Sequence, residues 1–164
     1  MGNTKLFSRD LRQKIKRRNR KHIIVVASGY FNPIHIGHIR YLKAAKKLGD
    51  ELVVIVNNDN QVKVKCSDPF MNDKERMEIV ANLKCVDRVV LSIDKDKSVR
   101  KTLKMIKPDI FATGADRTIF NIPERETCKK LGIKMVFGLG GKKIQSSSKL
   151  LKNYARYLHS NANH

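Results

Sequence analysis

Residues 23–58 read IIVVASGYFNPIHIGHIRYLKAAKKLGDELVVIVNN, and their pattern decides the fold. Two β-branched runs, residues 23–27 and 52–56, enclose a segment over 37–48 in which Ile39, Leu42 and Ala45 recur at helical spacing and Gly49 supplies a stop. Strand, helix and strand of these lengths make a crossover unit, so the two strands are expected to run parallel. The alternation continues outward. Further strands are expected at 88–91, 110–113 and 134–137. A helix is expected to start at Asn72, with Glu75 completing a capping box and Met77, Val80 and Leu83 buried. Others are expected over 97–106, ended by Pro108, over 123–131, and from Ser146, Ser147, Ser148 onward with Leu150, Leu151, Tyr154, Tyr157 and Leu158 on one face. The class is α/β, a parallel sheet of about five strands with helices on both faces.

In such a sheet ligands bind at the carboxyl edge of the strands, which directs attention to the loops 28–36, 57–71, 114–121 and 138–145. The first loop, Ser28-Gly29-Tyr30-Phe31-Asn32-Pro33-Ile34-His35-Ile36-Gly37-His38, opens directly into a helix. Gly29 lets backbone approach an anion, the amides of the first helical turn point outward, and two imidazoles can donate to phosphoryl oxygens. A metal site would need ligands beyond these two histidines, and none stands nearby in the sequence, so no metal-ligating residue is assigned. Three hydroxyls at Ser146, Ser147 and Ser148 cap a helix and offer a second anion site. Gly138, Gly140 and Gly141 precede Lys142, but Lys143 stands where a Walker A loop needs Ser or Thr, which excludes a P-loop ATPase.

Gly29-Tyr30-Phe31 followed by His35-Ile36-Gly37-His38 resembles the GxF…HxGH signature of the nucleotidylyltransferase superfamily, a Rossmann-like fold. Lys47 to Asp50 and the run 52–58 resemble the first crossover of glycerol-3-phosphate cytidylyltransferases and heptose-phosphate adenylyltransferases. Lys63 and Lys65 fall where that branch places phosphate-binding lysines, and Glu75-Arg76 resembles its helix-borne arginine. Lys107-Pro108-Asp109 and Thr113-Gly114-Ala115-Asp116-Arg117 are similar to its fourth-strand loop, and Gln145-Ser146-Ser147-Ser148 to its closing element. The likeness spans about residues 23–151.

The resemblance implies in-line attack of an acceptor oxygen on the α-phosphorus of a nucleoside triphosphate, with pyrophosphate leaving and Mg²⁺ bridging the phosphates. His35 and His38 are then expected at the triphosphate, Lys63 between acceptor and α-phosphate, and Lys65 in support. Arg76 with Ser146, Ser147 and Ser148 would hold the β- and γ-phosphates. Backbone at Gly29, Tyr30, Phe31 and Gly37 would line the nucleotide, with Gly114 and Asp116 on its other side. The activity expected is transfer of CMP from CTP to a small phosphorylated or phosphonate acceptor. Transfer of AMP from ATP to a sugar phosphate or pyridine mononucleotide is the alternative. Two departures stand out. The usual Thr-Phe-Asp is Tyr30-Phe31-Asn32, where Asn32-Pro33 is similar to nicotinamide mononucleotide adenylyltransferases, and the arginine before the closing element is replaced by Lys142-Lys143.

The 164 residues, 41% hydrophobic, fit one domain with a core, expected over 22–164. The formal charge of +20 points to polyanionic partners. Residues 5–21 hold nine Lys and Arg against Asp10, a basic extension over 1–21 that reads as a solvated arm or as a dock for nucleic acid or an acidic membrane. A nucleic-acid-binding or catalytically silent nucleotide-sensing domain is the reading from another class, although no aromatic RNA-binding string or zinc finger occurs. Met1-Gly2 lacks the hydroxyl a myristoylation signal needs, since Leu6 occupies that position. Cys66, Cys85 and Cys128 include no CxxC, and no signal or membrane-length segment is present, so a cytoplasmic enzyme is expected. The resemblance further implies a homodimer.

Overall fold

The computed structural model describes residues 21–65, 68–115 and 117–161. The basic extension up to residue 20, Cys66 and Asp116 lie outside the described residues. Five strands, β1 (Ile24–Gly29), β2 (Glu51–Val56), β3 (Arg88–Leu91), β4 (Ile110–Gly114) and β5 (Lys134–Leu139), form one sheet in the order β3-β2-β1-β4-β5. All neighbouring pairs are parallel. The helices are α1 (Ile36–Lys46), α2 (Asp59–Lys65), α3 (Asp73–Ala81), α4 (Arg100–Ile106), α5 (Arg125–Leu131) and α6 (Ser147–Asn161).

Successive side chains of a strand point to opposite faces, and the core divides accordingly. Val25, Ala27, Leu52, Val54 and Val56 pack to one side with Leu42 and Ala45 of α1 and Val80 of α3. Val26, Val53, Ile55 and Phe111 pack to the other with Leu103 of α4 and Cys128 of α5. Both faces of the sheet are covered, which is why its strands read as continuous apolar runs.

The chain winds outward from β1 to β3, then crosses to β4 and β5 on the other side. The strand order therefore reverses between β1 and β4, the place where such sheets open a ligand crevice. Charge is sorted between the two edges. At the amino edge Asp50 accepts from Ile23 N at 2.9 Å, Asp87 from Leu52 N at 2.6 Å and Asp109 from Ile24 N at 3.0 Å. Lys21 and Ile24 hold the Asp109 carboxyl below the usual range. With these carboxylates tied to strand starts, histidines, lysines and Arg117 predominate in the cleft at the carboxyl edge, where Glu124 is the one lining carboxylate among the described residues.

The expected capping box of α3 is present: Glu75 N donates to Asn72 Oδ1 at 3.0 Å and Asn72 N to Glu75 Oε2 at 3.0 Å. The loop expected over 57–71 contains the short helix α2. Asn58 and Gln61 exchange side-chain and backbone bonds at 3.0 and 3.2 Å that start it, and Val62 alone of its apolar side chains is buried, too little for a periodic signal. Helix α4 begins at Arg100 rather than 97, because Asp94 caps it through Lys101 N at 2.8 Å and Thr102 N at 3.0 Å while Asp96 and Ser98 form the approach.

Candidate active site

A cleft of about 830 Å³ opens at the carboxyl ends of β1 and β4. Paired residues of β1 and β4 end at Ala27 and Ala112, and beyond them Tyr41 bridges the parting strands. Its hydroxyl donates to Ala112 O at 2.7 Å and accepts from Ser28 N at 3.2 Å. The loop after β5 folds over this point. Gly140, at φ +87°, lies so close that a Cβ there would stand 2.9 Å from the Tyr41 backbone. No side chain fits at that approach.

Helix α1 starts with an unusual cap made of the two histidines. Gly37 N donates to His35 Nδ1 at 3.1 Å, and His35 N donates to His38 Nδ1 at 3.2 Å. The rings stack with centroids 3.8 Å apart, and Phe31 sits 4.9 Å from His38 on the far side. An imidazole whose Nδ1 accepts a backbone N–H carries its proton on Nε2. The capping bonds thus fix both rings as Nε2–H donors. Burial, then the charge of Lys143, lowers the pKa of His35 and keeps it neutral. A Cβ on residue 37 would stand 2.9 Å from the His35 ring, so the glycine between the histidines is what lets that ring fold back as a cap.

The closing loop reaches the same place. Ser147 Oγ donates to Pro33 O at 2.8 Å, and Ser146 Oγ accepts from Lys149 N at 3.2 Å as α6 begins. Of the residues expected from sequence, Gly29, Tyr30, His35, Gly37, His38, Lys65, Gly114, Ser146, Ser147 and Ser148 line the cleft together. Three do not. Phe31 turns into the core, 1% exposed, with its backbone at φ 50°. Lys63 points away on the exposed side of α2.

Arg76 requires correction in geometry. Its guanidinium is completely buried and donates to Met71 O at 3.0 Å, Tyr30 O at 2.7 Å, Asn57 O at 2.7 Å and Asp59 Oδ1 at 2.6 Å. It is a strut joining the β1 loop, the end of β2, α2 and α3, and its donors face protein rather than the cleft. The fork geometry of Arg suits carbonyls and carboxylate as well as phosphate, which is why sequence alone does not separate the two uses.

Sequence reasoning missed Tyr41, Lys97, Asn121 and Glu124, quoted Arg117 only within the fourth-strand loop, and met Lys142 and Lys143 only in excluding a P-loop and as a departure; all seven line the cleft. Lys97, Arg117, Lys142 and Lys143 read as surface charge until the topology brings their loops together. Glu124 is the one carboxylate in the lining among the described residues. Burial pushes its pKa up, against the bond it accepts from Val99 N at 2.8 Å.

The described residues contain no group of three or more His, Cys, Asp or Glu placed to hold a metal ion, and Glu124 is already engaged. Among the described residues the donor set does not fit a resident Mg²⁺, whose usual protein ligands are carboxylates.

A five-stranded parallel sheet carrying a histidine-capped helix and a cation-lined cleft at its switch point is an arrangement suited to a polyanionic nucleotide, and the family matches place the chain among nucleotidyltransferases. The chain belongs to the cytidylyltransferase-like family, whose model matches residues 26–153. The FAD synthase of Thermoplasma volcanium is 40% identical over 111 residues, 68% of this chain and 77% of that protein. The FAD synthase of Ferroglobus placidus is 44% identical over 110 residues, 67% of this chain and 70% of that protein. The crystal structure of a lipopolysaccharide core biosynthesis protein from Thermoplasma volcanium is similar at a TM-score of 0.64 and 34% identity, over 75% of this chain and 100% of that one.

These relatives overturn the expectation of CMP transfer from CTP. The two curated relatives are named FAD synthase, which favours the adenylyl alternative over the cytidylyl expectation, but neither the sugar phosphate nor the pyridine mononucleotide expected as its acceptor. No helix among the described residues is long and apolar enough to cross a membrane.

Proposed function

We propose that the chain transfers an adenylyl group from ATP to the phosphate of FMN, giving FAD and pyrophosphate. The observation that carries this reading is the pair of Nε2–H donors fixed by the reciprocal cap at His35 and His38, in a chain 40% identical to an FAD synthase.

A phosphate oxygen of FMN attacks the α-phosphorus of ATP; a P–O bond forms there as the bond to the β-phosphate oxygen breaks and pyrophosphate departs. A phosphomonoester is largely dianionic near neutral pH, with a second pKa of about 6, so the nucleophile needs no general base. The protein's task is positioning and neutralisation. The neutral imidazoles donate to oxygens of the α-phosphate, where charge shifts in the transition state, and require no reorganisation because backbone amides already hold them. Lys65, Lys142 and Lys143 draw the two anions into one cleft. The N-terminal turn of α6, with Ser146, Ser147 and Ser148, receives the leaving pyrophosphate end. Mg²⁺ bound to the ATP substrate would supply further neutralisation of its phosphates.

The test is direct. Full-length protein is incubated with Mg²⁺ and each pairing of ATP or CTP with FMN, a sugar 1-phosphate or nicotinamide mononucleotide, and pyrophosphate and the coupled nucleotide are measured. FAD formed from ATP and FMN at the highest kcat/KM is the expected result. Preferred turnover of another acceptor, or of CTP, overturns the reading.

A further inference from the structure

We infer that Glu124 is the residue that selects the acceptor, the carboxylate oxygen it turns to the cleft accepting the imide N–H at the pyrimidine end of the flavin ring. The inference rests on the proposed adenylyl transfer to FMN and deepens it, by naming the group that reads the acceptor's ring.

Glu124 is 5% exposed and lines the cleft. Its Oε1 accepts from Val99 N at 2.8 Å, while Oε2 accepts from no other described residue. No fully buried side-chain oxygen among the described residues lacks a partner, so Oε2 reaches the open space beside it, which is the cleft. No cation closes on the carboxylate. Arg100 is taken by Asp96 at 2.6 Å, Arg117 leans towards Asn121 O at 3.5 Å, and both act on the Glu124 charge only from a distance. A carboxylate held this far from water is costly until its acceptors are met. The protein meets one oxygen, and a ligand N–H completes the other.

The place of Glu124 suits the acceptor. Val99, Phe111 and Ile122 line the cleft from the core on the α4 and α5 face of the sheet, whereas Phe31 and Tyr41 belong to the core on the α1 face. The histidine cap opens α1, and Ser147 ties the start of α6 to the loop that enters it. In the proposed reaction pyrophosphate leaves towards α6, and attacking and leaving oxygens stand in line across the α-phosphorus. The acceptor therefore approaches from the side opposite α6, the side of Val99 and Glu124. One end of the flat flavin ring carries an N–H between two carbonyls. Glu124 accepts the N–H, Lys97 and Arg117 in the same lining supply donors for the carbonyls, and Val99, Phe111 and Ile122 give the ring an apolar surface.

The experiment measures steady-state synthesis by full-length wild type, Glu124→Gln and Glu124→Ala with Mg²⁺, ATP and either FMN or an FMN analogue methylated at the imide nitrogen, with a melting curve for each protein. Glu124→Gln keeps an oxygen for Val99 N and puts an amide donor in place of Oε2, so it is expected to fold as wild type does and to meet the imide with a donor. Wild type is expected to prefer FMN to the methylated analogue by about tenfold to a hundredfold in kcat/KM, the scale of one charge-assisted hydrogen bond, and both variants to lose most of that preference through KM for the flavin, with KM for ATP within about twofold of wild type. If Glu124→Ala does not fold, Glu124→Gln and the wild-type comparison carry the test. Equal use of FMN and the analogue by wild type overturns the assignment, and so does a preference undiminished in Glu124→Gln. A rise in KM for ATP in place of that for FMN also overturns it, giving the carboxylate to the amine of adenine; each of these leaves the proposed reaction standing. No FAD from wild type with ATP and FMN overturns the reaction, and the assignment with it.

Discussion

The hydroxyl of Ser147 donates to the carbonyl of Pro33 at 2.8 Å, joining the first residue of α6 to the loop that enters α1, 114 positions away in the chain. Through this bond the two helix starts, one with histidines and one with serines, are tied together. Ser147→Ala removes one partly buried hydrogen bond, which costs about 0.5–1.5 kcal/mol. For a chain of this size that lowers Tm by roughly 2–4 °C per kcal/mol. The same substitution loosens the phosphate end of the cleft, so KM for ATP is expected to rise with it. A melting curve and a KM determination on one preparation check both. A change in Tm alone assigns Ser147 to the clasp, and a change in KM alone to the ligand.

Arg76 is expected to behave as a structural residue. Its four bonds satisfy three backbone carbonyls and the Asp59 carboxylate in a site that excludes water from the guanidinium. Arg76→Met strands those acceptors and leaves Asp59 without its counter-charge. Loss of one partner of a buried pair costs about 3–5 kcal/mol, and here the lower end applies because Asp59 is 30% exposed. Arg76→Lys is not a rescue, since one ammonium does not span four acceptors. Urea unfolding of the variants measures the loss. Unchanged stability with a raised KM for ATP returns Arg76 to the phosphates.

Why the strands and the histidine loop were legible in the sequence, and the cleft's far wall was not, follows from range. The strands are short apolar runs because both faces of the sheet are covered, and that signal is local. The cap of α3 was visible because Asn72 and Glu75 lie three residues apart. Tyr41, Lys97, Arg117 and Glu124 line the cleft only because four crossovers return their segments to one edge. Tyr41 and Arg117 stand beside motifs that do not single them out, and nothing near Lys97 or Glu124 in sequence marks them. Arg76 shows the converse: a cation beside a family-like motif is legible as a residue, but its direction is set by Met71, Tyr30, Asn57 and Asp59, from four separate segments. The nucleotide was also beyond local reading, since adenine and cytosine are separated by pocket shape, and it is similarity over about two thirds of the chain that turned the proposal towards ATP.

His38 carries the sharpest catalytic expectation. Its Nδ1 accepts from His35 N, so the proposed reaction assigns its Nε2–H to the phosphates of ATP. His38→Ala is expected to lower kcat by about 10²-fold or more, the scale of one transition-state donor removed, with Tm changed by only a few degrees. Rapid-quench turnover at saturating ATP and FMN measures it. Wild-type turnover removes His38 from the mechanism.

A pH dependence of stability follows from His35. Burial and the charge of Lys143 place its pKa in the folded protein below the 6.5 of a free imidazole. Above 6.5 both states are neutral and the cap contributes in full. As pH falls below that value the unfolded chain takes up a proton that the folded chain refuses, because Nδ1 is accepting from Gly37 N, so stability is lost with falling pH until the folded ring is protonated as well. His35→Asn keeps a good capping side chain without a titrating one. Tm of wild type is therefore expected to fall more steeply than that of the variant between pH about 6.5 and about 5, the range just below the free imidazole value. Parallel Tm profiles over that interval contradict a neutral, backbone-locked His35, and replacing Lys143 by Ala should bring the wild-type profile part of the way towards the variant's, since its charge is the second cause of the shift.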